Sequence, residues 1–397
     1  MNIEFEHIRG FRLRAHHLDR KSPLDQLAAA AGACGLQNSP PGAWETALFH
    51  RLERCTLRAL HEALYESKQL LQAWSFRGAP VVFPTNESGV FLSALAAREN
   101  EQPWIYTRGI TAALDHMGMG FDDLLPLVRT AAHALEHETV RSKEALDRSL
   151  AERAAPLLPP EKRALWNAPS MYGSPDRQTV GGAVVSFLLR PCACEGRVVF
   201  GAREGVSPTF TSFRRWTGHA PAPYPDAERT LVRKFLHCYG PSTRTAFMHW
   251  LGCAPKQAAR LWDGIKDEIV PISVQGRTQY LLSADLADLQ NAGDGGGSLR
   301  LLGAHDPYLD VRDREVLLPD KAKQRLVWKT VANPGAVLHG GRIVGVWKAK
   351  TQKEGLTLTA ELFEPLSRAD QEALAADANA YAAFREMTLK KFACAQL

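Results

Sequence analysis

A repeated unit is the feature that most constrains the fold of this 397-residue chain. Three times, a stretch of helical periodicity is followed by two short apolar segments on either side of a glycine, which predicts a β-hairpin. The predicted hairpins run from Leu70-Leu71 through Gly78 to Val81-Val82-Phe83, from Leu188-Leu189 through Gly196 to Val198-Val199-Phe200, and from Ile269-Val270 through Gly276 to Tyr280-Leu281. Helices followed by a hairpin are typical of the winged helix-turn-helix, a DNA-binding unit. Three copies predict a protein that wraps a duplex.

Composition and charge narrow the class of protein. The chain is 45% hydrophobic, which excludes a disordered chain, and it has no apolar run long enough to span a membrane and no signal peptide. Seven scattered cysteines argue against a disulfide framework. We therefore expect a cytoplasmic protein with no membrane partner. The net charge of +5 is modest, so DNA binding requires local clusters of Arg and Lys.

The predicted fold is α+β, with three tandem winged helices followed by a β-rich segment and a terminal helix. The predicted domains cover residues 1–86, 87–216, 217–290 and 291–397. Two stretches are rich in small and turn-forming residues, and we predict that they are linkers. They are Gly201–Pro225 and Asn291–Ser298. The tail, Ser367–Phe392, is amphipathic, and one face of it carries Leu374, Ala378, Tyr381 and Phe384.

The third repeat is the clearest, with helices predicted over Leu231–His237, Arg244–Leu251 and Pro255–Ile265. The last of these helices would enter a DNA groove. Its predicted exposed positions, which are candidates for phosphate contact, are Lys256, Gln257 and Arg260 on the helix and Lys266 just after it. The alternative interpretation is an ordinary solvated helix face. The first predicted linker, Gly201–Pro225, adds three further cations, Arg203, Arg214 and Arg215.

Two motifs suggest metal chemistry, and both have simpler interpretations. His133-Ala134-Leu135-Glu136-His137 spells H-x-x-E-H, a zinc-peptidase pattern, but it falls on the first helix of the second repeat with no evident third ligand. Cys192 and Cys194 share one face of the second predicted hairpin, where small buried residues are expected. We therefore predict no metal and no cofactor.

Four sets of motifs, in order along the chain, resemble the AlkZ-type winged-helix DNA glycosylases. Gly35-Leu36-Gln37-Asn38-Ser39, with Ala47-Leu48 and Arg51, resembles the family's G-G-φ-Q-A-Q segment (φ apolar). Trp74-Ser75-Phe76-Arg77-Gly78-Ala79 resembles its W-x-x-R-G-T wing. The other two sets are Tyr239-Gly240-Pro241 with Phe247 and Trp250-Leu251-Gly252, and Asp306-Pro307-Tyr308 with Arg312-Asp313-Arg314 and Gly341–Trp347.

The resemblance implies a C-shaped bacterial protein around DNA, with a catalytic Q-φ-Q or Q-φ-D motif. On this chain the catalytic positions fall on Gln37, Asn38 and Ser39, so the sequence departs from the family at the middle and last positions. The motifs also add Arg77, Arg312 and Arg314 to the candidate DNA contacts. The implied activity is monofunctional hydrolysis of the N-glycosidic bond of N-alkylated purines, possible crosslinks among them, in double-stranded DNA.

Neutral side chains suit that reaction. Cleavage passes through an oxocarbenium-like sugar, and a ring-alkylated base is already a cationic leaving group, so no strong acid is needed. Gln37 can orient a water and stabilise the sugar, while Ser39 is shorter than Gln and, unlike Asp, uncharged. The alternative is a DNA-binding protein with weak or no catalysis, acting as a lesion sensor or regulator. We expect a monomer, since one chain carries three DNA-binding units. We also expect the protein to be associated with the nucleoid.

Overall fold

The computed structural model describes residues 3–101, 105–172, 178–293, 299–353 and 355–397. The α-helices in these ranges are α1 (Phe5–Ala15), α2 (Leu27–Gly32), α3 (Ala43–Arg51), α4 (Leu57–His61), α5 (Ser88–Phe91), α6 (Thr111–Met117), α7 (Phe121–Ala132), α8 (Lys143–Ala154), α9 (Arg163–Trp166), α10 (Val180–Cys194), α11 (Phe213–Thr217), α12 (Ala227–Tyr239), α13 (Arg244–Leu251), α14 (Pro255–Asp263), α15 (Leu286–Gln290), α16 (Lys321–Val327) and α17 (Arg368–Phe384).

The strands of the same ranges are β1 (Leu36–Gln37), β2 (Leu70–Trp74), β3 (Pro80–Pro84), β4 (Val140–Arg141), β5 (Val199–Phe200), β6 (Thr209–Thr211), β7 (Ile269–Val274), β8 (Arg277–Leu282), β9 (Leu299–Leu302), β10 (Gly335–His339), β11 (Arg342–Gln352), β12 (Gly355–Leu362) and β13 (Leu389–Gln396). None of the described helices combines the length and the apolarity that crossing a bilayer requires.

The chain forms two compact units that alternate along the sequence. The first comprises Met1–Ala63, Val232–Phe247 and Gly264–Leu397, and the second comprises Leu64–Leu231 and Met248–Asp263. The elements of the first and third predicted winged helices are divided between these units. The tandem arrangement and the four predicted domains therefore remain predictions.

The second predicted repeat lies wholly within the second compact unit. Its order is α7, β4, α8, α9, α10, β5, β6, and β6 pairs antiparallel with both β4 and β5. The side chains of Ser142 and Thr179 accept hydrogen bonds from backbone amides and begin α8 and α10. The three long helices pack together through Leu124, Leu150 and Val184. Three long helices followed by a hairpin match the predicted order of elements, with a strand added after the first helix and the short helix α9 added before the third.

The predicted hairpin of this repeat is partly wrong. Leu188 and Leu189 belong to α10, which continues to Cys194, so Cys192 and Cys194 lie on a helix rather than on a strand. The hairpin instead joins β5 to β6, and the predicted linker Gly201–Pro225 therefore contains β6 and α11. The hairpins β2–β3 and β7–β8 form where they were predicted.

Two sequence motifs of the second compact unit contact each other. Nη1 of Arg77, at the turn between β2 and β3, donates a hydrogen bond of 2.6 Å to the Trp250 carbonyl at the end of α13. The rings of Phe76 and Trp250 stack with their centroids 4.7 Å apart. Gly252 has a φ of +77°, and a Cβ there would come within 2.9 Å of Arg77. Glycine is therefore required both by the backbone and by the contact.

The first compact unit is built on a five-stranded sheet of order β13-β12-β11-β10-β9, antiparallel except between β12 and β13. Helix α17 packs on β9. Its predicted apolar face is confirmed, since Leu374, Ala378, Tyr381 and Phe384 are all buried. The tail differs from the prediction after Phe384, where the helix ends and β13 follows. Residues 294–298 of the second predicted linker lie outside the described ranges.

A buried ion pair joins two motifs in this unit. Arg51 at the end of α3 donates two hydrogen bonds of 2.8 Å to the carboxylate of Asp306, and both side chains are shielded from solvent. Asp306 also accepts a hydrogen bond from the Tyr308 amide. The Tyr308 hydroxyl donates to the Gly341 carbonyl at 3.0 Å. The segment around residues 36–51 is thus fixed to the C-terminal part of the unit.

A second buried arginine joins the remaining motif to the same region. Arg12 in α1 donates to the backbone carbonyls of Tyr239, Gly240 and Pro241. It also pairs with the carboxylate of Asp313 at 2.7 Å. Sequence patterns did not predict α1, because arginine is normally assigned to a solvent face.

We predict that Arg51→Met lowers the free energy of unfolding by about 3–5 kcal/mol, because it leaves the Asp306 carboxylate buried without a cation. Denaturant-induced unfolding measures the effect. Arg368→Met is the matched control, since Arg368 pairs with Glu372 at the surface and its loss should change stability little. Equal stability of the two variants would contradict the structural role given to the buried pair.

Candidate functional site

The candidate motif alternates between buried and exposed side chains. Leu36 and Asn38 are buried, whereas Gln37 is half-buried and Ser39 is exposed. This is the two-residue periodicity of extended backbone, in which successive side chains point to opposite faces. Gln37 and Ser39 therefore share the outer face, and Leu36 and Asn38 face the protein.

Hydrogen bonds fix the turn that follows. The Oδ1 of Asn38 accepts a bond of 2.7 Å from the Gly42 amide, just before α3. The Nε2 of Gln37 donates to the Ser39 carbonyl at 3.1 Å. Among the described residues none donates to the Oε1 of Gln37, which leaves this carbonyl oxygen available to accept a hydrogen bond from a water. The Ser39–Pro40 peptide is cis.

A charged cluster lies behind the turn. Glu45 in α3 accepts hydrogen bonds from the Nε2 of His61 at 2.9 Å and the Nη1 of Arg385 at 2.6 Å. Burial by itself raises the pKa of Glu45, but these two donors outweigh it, and the pKa lies below its usual value. The cluster therefore keeps an anion next to the start of α3 without exposing it on the motif's outer face.

A cavity of about 320 Å³ opens beside the same turn. Its walls include Pro40 and Gly42 from the turn, Trp347 from β11, and Tyr381 and Arg385 from α17 and its end. The volume is at the lower end of the range found for small-molecule sites. Sequence patterns did not point to Trp347, Tyr381 or Arg385 as neighbours of the motif, because they come together only when the C-terminal sheet forms.

The predicted cations of the first compact unit differ in their surroundings. Arg312 and Lys266 are exposed. The guanidinium of Arg314 lies 4.8 Å from the ring centroid of Trp328. Partial burial lowers its pKa, and Arg312 contributes in the same direction. Arg314 is thus held against an aromatic face, while Arg312 extends into solvent.

The cations of the second compact unit also fall into two groups. Arg203, in the β5–β6 loop, and Arg214 and Arg215, on α11, are exposed. Arg77 is engaged by the Trp250 carbonyl, as described above. Arg260 is paired with Glu101 at 2.6 Å and Glu228 at 2.7 Å, so two carboxylates compensate its charge.

Lys256 lies near Arg260 in α14 and is exposed. Its Nζ donates to the Asn100 carbonyl at 3.1 Å. The prediction that Gln257 is exposed is wrong, because its side chain is buried and its Nε2 donates to the Leu95 carbonyl at 2.9 Å.

The H-x-x-E-H residues His133, Glu136 and His137 form an exposed trio at the end of α7, with ligand atoms within 4.8 Å of one another. This trio is a surface feature on a short 3₁₀ turn, not a pocket.

Comparison with known proteins shows the family of this chain. The profile of the DNA glycosylase AlkZ-like family matches residues 30–384. The chain belongs to the AlkZ-like DNA glycosylase family. An interstrand DNA cross-link repair glycosylase from Streptomyces sahachiroi is 26% identical over 294 residues, which cover 72% of this chain and 71% of that protein.

The family's fold is also shared. The structure of Streptomyces sahachiroi DNA glycosylase AlkZ superimposes with a TM-score of 0.74 at 20% identity, covering 99% of this chain and 100% of that one. This likeness supports the mixed α+β fold. Membership of the family supports glycosylase activity on DNA, while the roles of Gln37, Asn38 and Ser39 remain predictions.

We predict that stability falls as the pH drops from about 6.5 to 4, in part through His50. His50 lies in α3, and its Nε2 hydrogen-bonds the Leu301 carbonyl at 2.8 Å. Burial lowers the pKa of His50 to about 4. Between the two pKa values the unfolded chain binds a proton that the folded chain excludes, which costs up to about 3 kcal/mol.

Denaturant-induced unfolding at several pH values tests this. His50→Gln should show a smaller loss of stability across this interval than the wild-type protein. His116→Gln changes an exposed histidine and should follow the wild-type curve. Parallel curves for His50→Gln and the wild-type protein would rule out His50 as the titrating group.

Proposed function

We propose that this chain is a monofunctional DNA glycosylase that hydrolyses the N-glycosidic bond of N-alkylated purines in double-stranded DNA. The observation that carries this proposal is the outward pair formed by Gln37 and Ser39. The Oε1 of Gln37 accepts no hydrogen bond from the described residues, and the exposed Ser39 hydroxyl lies two residues further on the same face. The relative named as an interstrand cross-link repair glycosylase supports crosslinked purines as further substrates.

The geometry favours a water-mediated reaction. The Nε2 of Gln37 is held by the Ser39 carbonyl, which fixes the amide plane and points its oxygen away from that bond. An amide oxygen held in this way can accept a hydrogen bond from the attacking water and place negative partial charge near the oxocarbenium-like sugar. Ser39 can hold the same water from the other side.

The charge of the substrate makes neutral residues sufficient. A purine alkylated on a ring nitrogen leaves as a neutral base, so its departure needs no general acid. Residues 35–39 contain no lysine to form a Schiff base, and we therefore propose hydrolysis without strand cleavage.

The alternative function is DNA binding with little or no catalysis. The side chain of Ser39 favours this alternative. It is shorter than the Gln of the family motif and lacks the charge of Asp, so it holds the attacking water less well. The chain would then act as a lesion sensor or regulator. Base release distinguishes the two functions, since both require DNA binding.

We predict that Gln37→Ala slows the release of 7-methylguanine from duplex DNA on the order of 100-fold, because it removes the oriented amide. Single-turnover assays that detect abasic sites measure this. Gln371→Ala is the matched control: its Nε2 also donates to a backbone carbonyl, that of Leu366 at 3.0 Å, but it lies on α17. Binding without release by the wild-type protein would support the alternative, and normal release by Gln37→Ala would remove Gln37 from the mechanism.

We also propose that the exposed cations contact phosphates. The double variant Arg214→Ala/Arg215→Ala should weaken DNA binding and reduce the slope of log K against log salt by about 1 for each lost contact. Arg260→Ala should reduce the slope less, because Glu101 and Glu228 already neutralise Arg260. Fluorescence anisotropy over a series of salt concentrations measures the slopes. A larger effect of Arg260→Ala would reverse this assignment.

A further inference from the structure

Three potential metal ligands converge inside the first compact unit, behind the candidate motif. They are His16 at the end of α1, Cys34 just after α2, and Cys238 in α12. The ligand atoms lie within 4.8 Å of one another, and the three residues are 1%, 2% and 0% exposed. Solvated clusters of this kind are common, but a fully buried one is not.

A hydrogen bond orients the histidine. The Nε2 of His16 lies 3.1 Å from the Cys238 carbonyl oxygen. A carbonyl can only accept, so Nε2 carries the proton and Nδ1 keeps its lone pair. Metal-binding histidines usually donate their other ring N–H to such a group.

The unprotonated nitrogen faces a sulfur at a suitable distance. The Nδ1 of His16 is 3.7 Å from the Sγ of Cys34. In a tetrahedral Zn²⁺ site with bond lengths of about 2.3 Å to sulfur and 2.0 Å to nitrogen, the two ligand atoms are about 3.5 Å apart.

The charges also suit a divalent cation. The nearby buried Arg51 is already neutralised by Asp306. Two thiolates and one divalent ion would then leave the cluster neutral, which burial requires.

We propose that His16, Cys34 and Cys238 bind one thiophilic divalent cation of the Zn²⁺ class. The ion would bind as the two thiols release their protons, and no electron transfer is involved. It would tie α1 and α12 to the segment that enters the motif at Gly35. This role is structural, since the cluster is closed to solvent, and it does not depend on the proposed glycosylase activity.

Metal analysis of the full-length protein purified after growth with added zinc tests the proposal. We expect one equivalent of zinc, and Cys34→Ser and Cys238→Ser should reduce this to none. Cys253→Ser is the matched control, because Cys253 is another buried free cysteine and lies in the second compact unit. The double variant His133→Ala/His137→Ala removes the exposed trio and should keep the full equivalent.

A second measurement uses the wild-type protein alone, in case the serine variants fail to fold. Adding Co²⁺ to the metal-free protein should produce sulfur-to-metal charge-transfer absorption, and a zinc chelator should lower the melting temperature of the zinc-loaded protein. The proposal is overturned if the wild-type protein takes up no stoichiometric zinc or cobalt. It is equally overturned if uptake disappears only when His133 and His137 are replaced, or if mass spectrometry shows a Cys34–Cys238 disulfide in place of the metal.

Discussion

The buried pair between Arg51 and Asp306 is the constraint on which the first compact unit depends. Taking a guanidinium and a carboxylate out of water is costly, and the cost is offset only when both groups keep ideal partners. Here the pair is bidentate, and Asp306 also accepts the Tyr308 amide. Arg51 lies at the end of α3, and Asp306 follows β9. If the segment that carries the motif packed elsewhere, the buried charge of Arg51 or Asp306 would lose its partner. The position of Gln37 and Ser39 therefore follows from a contact made about a dozen residues later in α3.

The same principle separates the arginines that stabilise the fold from the exposed arginines that we propose as DNA contacts. Arg12, Arg51 and Arg77 are bound by carbonyls or carboxylates of the protein, and in each case the contact joins segments that are distant in sequence. Arg203, Arg214 and Arg215 are exposed and extend from a loop and a short helix. A phosphate can bind one of the exposed arginines at little cost in free energy. Binding one of the internally bound arginines would break a contact within the protein. A count of positive residues in the sequence cannot make this distinction.

Much of the fold follows from local sequence rules, and the failures have physical reasons. The β2–β3 and β7–β8 hairpins and the apolar face of α17 were predicted and are confirmed. Leu188-Leu189 was misassigned because a short apolar run fits a buried helix as well as a strand, and α10 is apolar on most of its surface. Strand β6, which pairs with β5, lies in a stretch rich in glycine and proline that we predicted to be a linker.

Helix α1 was missed because its buried arginine is stabilised by groups that are distant in sequence, from residues 239–241 and 313. The cluster of His16, Cys34 and Cys238 could not be predicted from motif spacing, because these residues are far apart in sequence and meet only in the folded unit.

The two departures of this chain from the Q-φ-Q or Q-φ-D pattern have different consequences. At the middle position the side chain faces inward, where an apolar residue would be expected and an unpaired amide would cost about 1–3 kcal/mol. Asn38 avoids that cost, because its Oδ1 accepts the Gly42 amide and helps to hold the turn before α3. The fold thus accommodates the change at residue 38 without altering the outer face. At the last position the side chain points outward, and none of the described residues supplies the longer reach of Gln or the charge of Asp. If the chain has the proposed function, any difference in reactivity from the family motif would originate at Ser39, and a water between Ser39 and the substrate would be the simplest way to span the missing length.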